Sequence, residues 1–165
     1  VWKPVFVELG GRFVTLRAAN TSNIWAGANT AATPDGRKAR EPLSDAGSPT
    51  YGRDRKGVTQ TVLSLVKPDY TKVSGGSVVN QKFTPTVFRE ENLPALAALI
   101  KVYFSKGGQE MQINSVSRDT LKDAMEHPER YESLVVRVSG FSAYFTRLDR
   151  SVQSDILERT EHNEV

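Results

Sequence analysis

The most regular hydrophobic pattern of the chain lies between Asn92 and Lys106. Its apolar positions recur at intervals of three and four residues, the spacing of one face of an α-helix. The predicted buried stripe consists of Leu93, Leu96, Ala97, Ile100, Tyr103 and Phe104. Gly107 and Gly108 follow directly and are typical residues for ending a helix. We therefore predict an amphipathic helix over this segment.

The next segment, Glu110 to Val116, alternates between apolar and polar residues. Met111 and Ile113 fall on one face, and Gln112 and Asn114 fall on the other, as in a strand with one polar face. The two amide side chains could line a site. We expect them to hydrogen-bond neighbouring backbone rather than to contact a substrate.

Two further helices are predicted in the C-terminal part. Ser117 can cap a helix that runs to Glu126, and His127 followed by Pro128 ends it. The closing segment, Leu148 to Thr160, has a helical apolar stripe made of Leu148, Val152, Ile156 and Leu157. Both helices would present one apolar face to a common core.

Between these helices lie a predicted strand and a sharp bend. Leu134 to Val138 is rich in β-branched residues, which favour a strand. Ser139 to Ser142 follows, with Gly140 in a position where glycine tolerates backbone angles that other residues avoid. Considered alone, Gly140 is typical of a turn glycine after a strand.

The first third of the chain is dominated by turn-forming residues. Phe13 to Leu16 is a short strand-like piece, and Thr59 to Val66 is too short for periodicity to separate a helix from a strand. The segment from 28 to 57 combines Pro, Gly, Asp and Ser in the manner of a long loop. A loop of this length is usually functional or disordered. The apolar residues within and just before this segment predict ordered packing against a larger body, and these are Trp25, Leu43 and Tyr51.

Composition narrows the class of protein. A chain of 165 residues with 38% hydrophobic and 25% charged residues fits one globular domain. Its net charge of +3 is small and its basic residues are scattered, so we expect no nucleic-acid partner. No apolar run approaches the roughly 20 residues that span a bilayer, and Val1 to Gly11 lacks the zones of a secretory signal. We expect a cytoplasmic protein without membrane contact. The missing initiator Met suggests a fragment, a processed chain or a truncated reading frame.

Conventional catalytic patterns are not found. His127 and His162 lie far apart without the spacing of a metal site, so we predict no bound metal. The Gly-Gly steps at 75 and 107 lack the strand-loop-helix setting of a dinucleotide site. The chain contains no cysteine, which excludes disulfides and thiol nucleophiles within it. Ser139 and Ser142 have no evident base nearby in sequence.

A resemblance to a known family supplies the missing chemistry. The segment Arg137-Val138-Ser139-Gly140-Phe141, with Phe145 five residues after the glycine, resembles the signature of the glycyl radical enzymes, the pyruvate formate-lyase superfamily. Further segments resemble the same superfamily in order along the chain, namely 32–37, 41–45, 80–83, 112–114, 127–129 and 153–160.

The resemblance implies that Gly140 is the catalytic radical residue. A glycine Cα radical can flatten and delocalise between its amide nitrogen and carbonyl, whereas a Cβ would crowd that arrangement. The residues expected to support the radical loop are Arg137, Val138, Ser139, Phe141 and Phe145. Burial would protect the radical, and Val138, Phe141, Tyr144 and Phe145 suit burial. Arg137 would anchor the loop by hydrogen bonds.

The resemblance also implies a fold and partners. The fold is α/β, the C-terminal portion of a ten-stranded α/β barrel, with residues 1–115 in the barrel and 116–165 as a glycyl radical domain packed with it as one unit. The resemblance implies no bound cofactor. An activating enzyme with an iron–sulfur cluster and S-adenosylmethionine would install the radical. The cysteine that attacks a small-molecule substrate would lie in a missing N-terminal part or another subunit.

Three alternatives remain open at this level. The chain is the C-terminal part or subunit of a radical enzyme that cleaves C–C, C–O, C–N or C–S bonds or transfers an acetyl group to formate. Alternatively it is a stand-alone cofactor that repairs an oxygen-damaged pyruvate formate-lyase, or a structural domain without activity. The sequence of this segment does not name the substrate, since fold-level likeness does not fix chemistry.

Overall fold

The structure is a computed structural model that describes residues 22–72 and 77–165, together with two short strands near the N-terminus. These strands, β1 (Val7–Leu9) and β2 (Arg12–Val14), pair antiparallel with Val7 opposite Val14. The strand predicted at 13–16 is thus present in part, while Thr15 and Leu16 lie outside the described residues. The Gly-Gly step at 75 also lies outside them.

A three-stranded parallel sheet forms the centre of the fold. Strand β3 (Val78–Phe83) lies in the middle, with β4 (Glu110–Asn114) on one side and β7 (Glu161–His162) on the other. Helix α3 (Leu93–Ser105) connects β3 to β4, as the crossover between parallel strands requires. The predicted strand with amide side chains on one face is confirmed, because Gln112 and Asn114 are buried. The chain is a mixed α/β fold.

One hydrophobic core lies between β3 and two helices, α2 (Gly57–Leu65) and α3. The segment whose type the sequence left open is therefore a helix. The predicted stripe on α3 is rotated from the observed one: Leu93 and Phe104 are 44% and 46% exposed, whereas Leu99 is buried at 6%. The helix packs on a single side, so its buried face narrows to the row Leu96, Leu99 and Tyr103.

A second core joins the C-terminal elements. Helices α4 (Arg118–Glu126) and α5 (Arg150–Glu158) pack with a hairpin of β5 (Val135–Arg137) and β6 (Ser142–Tyr144). The predicted cap of α4 is confirmed, because Ser117 Oγ accepts a hydrogen bond from the Thr120 backbone N–H at 3.2 Å. The fully buried residues of this core are Leu121, Ala124, Val136, Val138, Phe145 and Ile156.

The long loop between α1 (Ser22–Ala28) and α2 is ordered by backbone hydrogen bonds to one buried cation. Arg37 is only 4% exposed, and its guanidinium donates to the carbonyls of Ala31, Lys38 and Glu41. The expected packing of Trp25, Leu43 and Tyr51 is partly wrong. Trp25 is 73% exposed, because it projects from the outer face of a two-turn helix, while Leu43 and Tyr51 are half-buried. Within the described residues, no helix has the length and apolarity needed to cross a membrane.

The last turn of α5 is capped by two cations. Lys82 Nζ and the Arg118 guanidinium both donate to the Leu157 carbonyl, at 3.1 and 2.8 Å. This carbonyl belongs to the end of a helix, where carbonyls lack partners and the helix dipole favours positive charge. The Lys82 side chain is 1% exposed, and its nitrogen lies 3.9 Å from Glu161 Oε2. The cap thereby ties the central sheet to the C-terminal helix.

Lys82 is expected to lose its proton at a lower pH than an ordinary lysine. Burial lowers the pKa of Lys82 to about 8, and the attraction of Glu161 offsets only part of that effect. The unfolded chain then binds more protons than the folded one between about pH 8 and 10.5, so the contribution of Lys82 to the free energy of unfolding rises with pH in that window. A titration of the Lys82 Cε chemical shift, assigned with a Lys82→Met variant, measures this pKa. A midpoint at or above 10.5 contradicts the prediction.

Candidate functional site

The residue singled out by its sequence setting, Gly140, lies at the tip of the β5–β6 hairpin. The two strands pair antiparallel with Arg137 opposite Ser142, and the Val138 N–H donates to the Phe141 carbonyl at 2.9 Å to close the turn. Gly140 has a φ of +77°, a left-handed conformation that L-residues with a side chain rarely adopt. The turn therefore favours glycine at this position on conformational grounds alone, independent of any chemistry.

The base of the hairpin is held rigidly in the second core. Val138 and Phe145 are both fully buried. The Phe145 N–H donates to the Leu134 carbonyl at 2.8 Å, and Gln153 Nε2 donates to the Phe145 carbonyl at 2.9 Å. The expected burial of Val138 and Phe145 is confirmed. Their packing positions the tip relative to the sheet.

The tip itself is not buried by the described residues, so that part of the expectation is wrong for this chain. Gly140 is exposed, and Phe141 and Tyr144 are 43% and 45% exposed. One face of an antiparallel hairpin can pack on the core while the other face stays open to solvent. The Arg147 guanidinium lies 4.9 Å from the centroid of the exposed Tyr144 ring.

Strand β4 holds the hairpin through its two buried amides. Asn114 makes a reciprocal pair with the Arg137 backbone: Oδ1 accepts from the N–H at 2.7 Å, and Nδ2 donates to the carbonyl at 2.6 Å. Gln112 Oε1 accepts from the Gly140 N–H at 2.9 Å and from Arg137 Nε at 3.0 Å. The expectation that these amides hold neighbouring backbone is confirmed, and so is the anchoring of Arg137 by hydrogen bonds.

Behind the tip, Ser139 enters a buried polar network. Its side chain is 2% exposed and lies 3.4 Å from Asn80 Nδ2, which in turn donates to Asp45 Oδ2 at 2.6 Å. Burial raises the pKa of Asp45, and the neighbouring Arg159 offsets part of that rise. A hydrogen-bonded chain thus runs from the hairpin, through the central strand β3, to the long loop.

Arg159 links this network to the end of α5. Its Nη2 lies 3.0 Å from Asp45 Oδ2 and 3.3 Å from Asp155 Oδ2, and its Nη1 lies 3.4 Å from the Arg137 carbonyl. All three charged side chains are less than a tenth exposed. Asp155 also accepts from Asn23 Nδ2 at 2.9 Å and from the Tyr51 hydroxyl. Burial and Asp155 together raise the pKa of Tyr51, so its hydroxyl remains a donor.

The sequence patterns did not predict that Asp45, Asp155 and Arg159 are buried. The signal available was three consecutive polar residues, Asn80, Gln81 and Lys82, inside an otherwise apolar strand. His162, which the sequence placed in an unremarkable tail, is 7% exposed and lies 3.4 Å from Asp54 Oδ2. His127 has a half-exposed side chain in the turn after α4, as predicted from its position.

The arrangement offers little for conventional catalysis. The cavity beside the Asp45 network has a volume of about 20 Å³, enough for a water molecule and too small for a substrate. Among residues 22–72 and 77–165, no three His, Asp or Glu side chains are grouped to hold a metal ion. What the site presents is a main-chain Cα without a side chain, exposed at a tip whose flanking amide is fixed.

Comparisons with known proteins match this arrangement. The family described as "Glycine radical" matches residues 43–146, a span that includes the hairpin. The chain is 42% identical over 156 residues to the probable dehydratase YbiW of Escherichia coli (strain K12), covering 93% of the chain and 19% of that protein. It is 36% identical over 153 residues to the trans-4-hydroxy-L-proline dehydratase of Clostridioides difficile, covering 92% of the chain and 19% of the relative.

A solved structure of a related enzyme is also similar to this chain. The glycerol-bound form of the B12-independent glycerol dehydratase from Clostridium butyricum is similar with a TM-score of 0.83 and 43% identity. The likeness covers 86% of this chain and 18% of that one. The chain therefore spans less than a fifth of the length of each of these relatives. Since the family matches well over half of its residues, the chain belongs to the glycine radical family, whose relatives here are glycyl radical enzymes.

Proposed function

We propose that Gly140 carries the stable radical of a glycyl radical enzyme. The observation that carries the proposal is the exposed hairpin tip, where a glycine with φ of +77° stands in the Arg137–Phe145 signature within the matched family span. An exposed tip is open to a second protein that must remove a hydrogen atom from Cα. That protein would be an activating enzyme with an iron–sulfur cluster and S-adenosylmethionine.

The residues around Gly140 would support the radical in different ways. Val138 and Phe145 fix the base of the hairpin, Ser139 joins the buried network, and Arg137 is clamped by strand β4. Phe141 is exposed beside the glycine and would close against the part of the enzyme that covers the tip. That cover would exclude oxygen and water from the radical, which the described residues do not do.

The rest of the enzyme would supply the reacting thiol. The chain has no cysteine, so the radical would pass to a cysteine in the remaining four fifths that the relatives possess. The sheet β4-β3-β7 would then be part of a ten-stranded α/β barrel. Residues 1–115 would belong to the barrel and 116–165 to the glycyl radical domain. The pairing of β7 with β3 supports packing as one unit, because it joins the two parts in one sheet.

The reaction would be a dehydration. Two curated relatives and a solved structure bear the name dehydratase, and the names give trans-4-hydroxy-L-proline and glycerol as the substrates of two of them. We therefore infer cleavage of a C–O bond in a small hydroxylated substrate. Likeness over more than nine tenths of the chain favours a part or subunit of such an enzyme over a stand-alone repair cofactor, which needs little more than the tail.

The test is electron paramagnetic resonance on the intact anaerobic protein after activation with S-adenosylmethionine and its activating enzyme. We expect a doublet from the single hydrogen left on Cα, with additional splitting after labelling with glycine enriched in ¹³C at Cα. An activated protein without a doublet, treated with an activating enzyme that is proven on its own substrate, contradicts the proposal.

Oxygen provides a second, independent result. Exposure of the activated protein to air is expected to cut the chain at Gly140, because oxygen adds to a carbon-centred radical and the backbone then breaks there. Mass spectrometry after denaturation should find a C-terminal piece beginning at about residue 140. The same treatment without activation is the control and should leave the chain intact. Cleavage at another glycine would show that the radical forms there and not at Gly140.

A further inference from the structure

We propose that Gln112 is the positioning residue of the radical site. It holds the backbone N–H of Gly140 in place, and Gly140 becomes planar by rotation about its N–Cα bond when the radical forms. The inference rests on the proposed radical at Gly140. It assigns to Gln112 a function beyond that of holding the fold together.

The orientation of the Gln112 side chain is determined by its partners. Gln112 is 5% exposed in the middle of β4, and its Nε2 donates to Glu110 Oε1 at 2.7 Å. Its Oε1 therefore faces the hairpin, where it meets two donors, the Gly140 N–H at 2.9 Å and Arg137 Nε at 3.0 Å. The reverse orientation would place an NH₂ group against two donors and leave Glu110 without one. Gln112 Oε1 thus accepts hydrogen bonds from both the Gly140 N–H and the Arg137 guanidinium.

The hairpin has other anchors besides Gln112. Asn114 binds the Arg137 backbone in both directions, and the core holds Phe145 on the far side of the turn. Among the contacts of the described residues, Gln112 meets the turn at the Gly140 amide and meets the preceding strand at Arg137 Nε. The hydrogen bond to the Gly140 amide is the one that places Gln112 at the radical residue itself.

The conformation of Gly140 in the closed turn is not the one that a delocalised radical needs. Sharing of the unpaired electron with the planar amide requires the Cα bonds to lie in the amide plane, hence a φ of about 180° or about 0°. The observed φ is +77°. Loss of a hydrogen atom must therefore be accompanied by a large rotation about the N–Cα bond.

That rotation leaves the amide where it is. The N–H bond does not move when the chain turns about N–Cα, so Gln112 can keep its hydrogen bond while the peptide on the Phe141 side swings. The Val138 N–H to Phe141 carbonyl bond, which closes the turn, would break in the process. A carbonyl acceptor on the N–H also increases electron donation from the amide nitrogen, which stabilises the electron-poor side of the radical.

The experiment measures the radical in the intact, activated protein for four variants besides the parent. Gln112→Leu removes the acceptor, and Gln112→Glu combined with Glu110→Gln restores it, because the donor and acceptor between positions 110 and 112 exchange roles. Gln81→Leu is the matched control: it removes another buried strand glutamine, 3% exposed, from the neighbouring strand. Gly140→Ala is the control for the radical position.

Two quantities are measured. The first is the radical yield per chain at equal activation, which should fall about 3- to 10-fold in Gln112→Leu, the effect of one neutral hydrogen bond. The second is the hyperfine coupling of the exchangeable amide hydrogen next to the radical, obtained by electron–nuclear double resonance in H₂O and D₂O. It should change in Gln112→Leu, and both quantities should return to the parent values in the exchanged double variant.

The outcomes separate the two proposals. A doublet of equal yield with an unchanged amide coupling in Gln112→Leu overturns the assignment of Gln112 and leaves the radical at Gly140 intact. An equal loss in Gln112→Leu and Gln81→Leu, with no recovery in the exchanged variant, also overturns it, because the loss is then one of general stability. A doublet that persists in Gly140→Ala overturns the radical position, and the role of Gln112 with it.

Discussion

Replacement of Gly140 by alanine is expected to abolish the radical doublet completely while leaving the fold intact. An alanine at a φ of +77° costs roughly 1–2 kcal/mol, because its Cβ approaches the following carbonyl. The tip is exposed and contributes nothing to either hydrophobic core, so this cost remains local. The chemical effect is far larger, since the Cβ opposes the flattening that stabilises the radical.

The measurement is spin quantification in parallel samples of the parent and Gly140→Ala. Gly107→Ala is the matched control, because Gly107 also has a positive φ, of +95°, in a turn with open space around it and far along the chain from the hairpin. Gly107→Ala should keep the doublet. The prediction fails if Gly140→Ala gives the parent's signal, and a far-ultraviolet circular dichroism spectrum shows whether the variant has folded.

Replacement of Arg159 by methionine is expected to have the largest effect on stability. The guanidinium separates two buried carboxylates, Asp45 and Asp155, and its loss leaves them without their cation. Breaking a buried ion pair by removing one partner costs about 3–5 kcal/mol. Because Arg159 also contacts the Arg137 carbonyl, its loss should also destabilise the hairpin.

Hydrogen–deuterium exchange of peptides that cover the hairpin and α5 measures the effect in the intact protein. Local opening that is easier by 3–5 kcal/mol corresponds to exchange about 100-fold faster or more. Arg89→Met, which removes an exposed cation, is the control and should change exchange little. Lower pH should reduce the difference between Arg159→Met and the parent, because protonation of Asp45 removes the uncompensated charge. Parent-like exchange in Arg159→Met would show that the buried pair contributes little.

Local sequence patterns were sufficient for the elements around the hairpin. The alternation at 111–114 placed Gln112 and Asn114 on one face, and the β-branched run before Ser139 gave a strand and a bend. These features depend on residues within a few positions of one another. The stripe on α3 was less accurate, because which part of an apolar face is buried depends on the neighbour it packs against, here β3 and α2.

Long-range polar contacts were not predictable in the same way. The buried network draws on four distant parts of the chain, through Asp45, Asn80, Ser139 and Arg159. Each of these is a polar residue type that is usually found at the surface. Only the fold shows that they are buried together. The exposure of Gly140 was missed for a related reason: the burial of a hairpin tip is a property of whatever covers it, and the local sequence says nothing about that cover.

The position of strand β7 has a consequence for damage by oxygen. The residues after Gly140 include Phe145 in the second core, Arg159 in the buried ion network and His162 paired with Phe83 in the central sheet. A chain cut at residue 140 would thus remain one particle under native conditions, with the severed tail still paired as the edge strand next to β3. Inactivation would then be invisible to size-exclusion chromatography and would appear only in a denaturing gel. An exchange of the damaged tail for a fresh one would first require the central sheet to open at its edge.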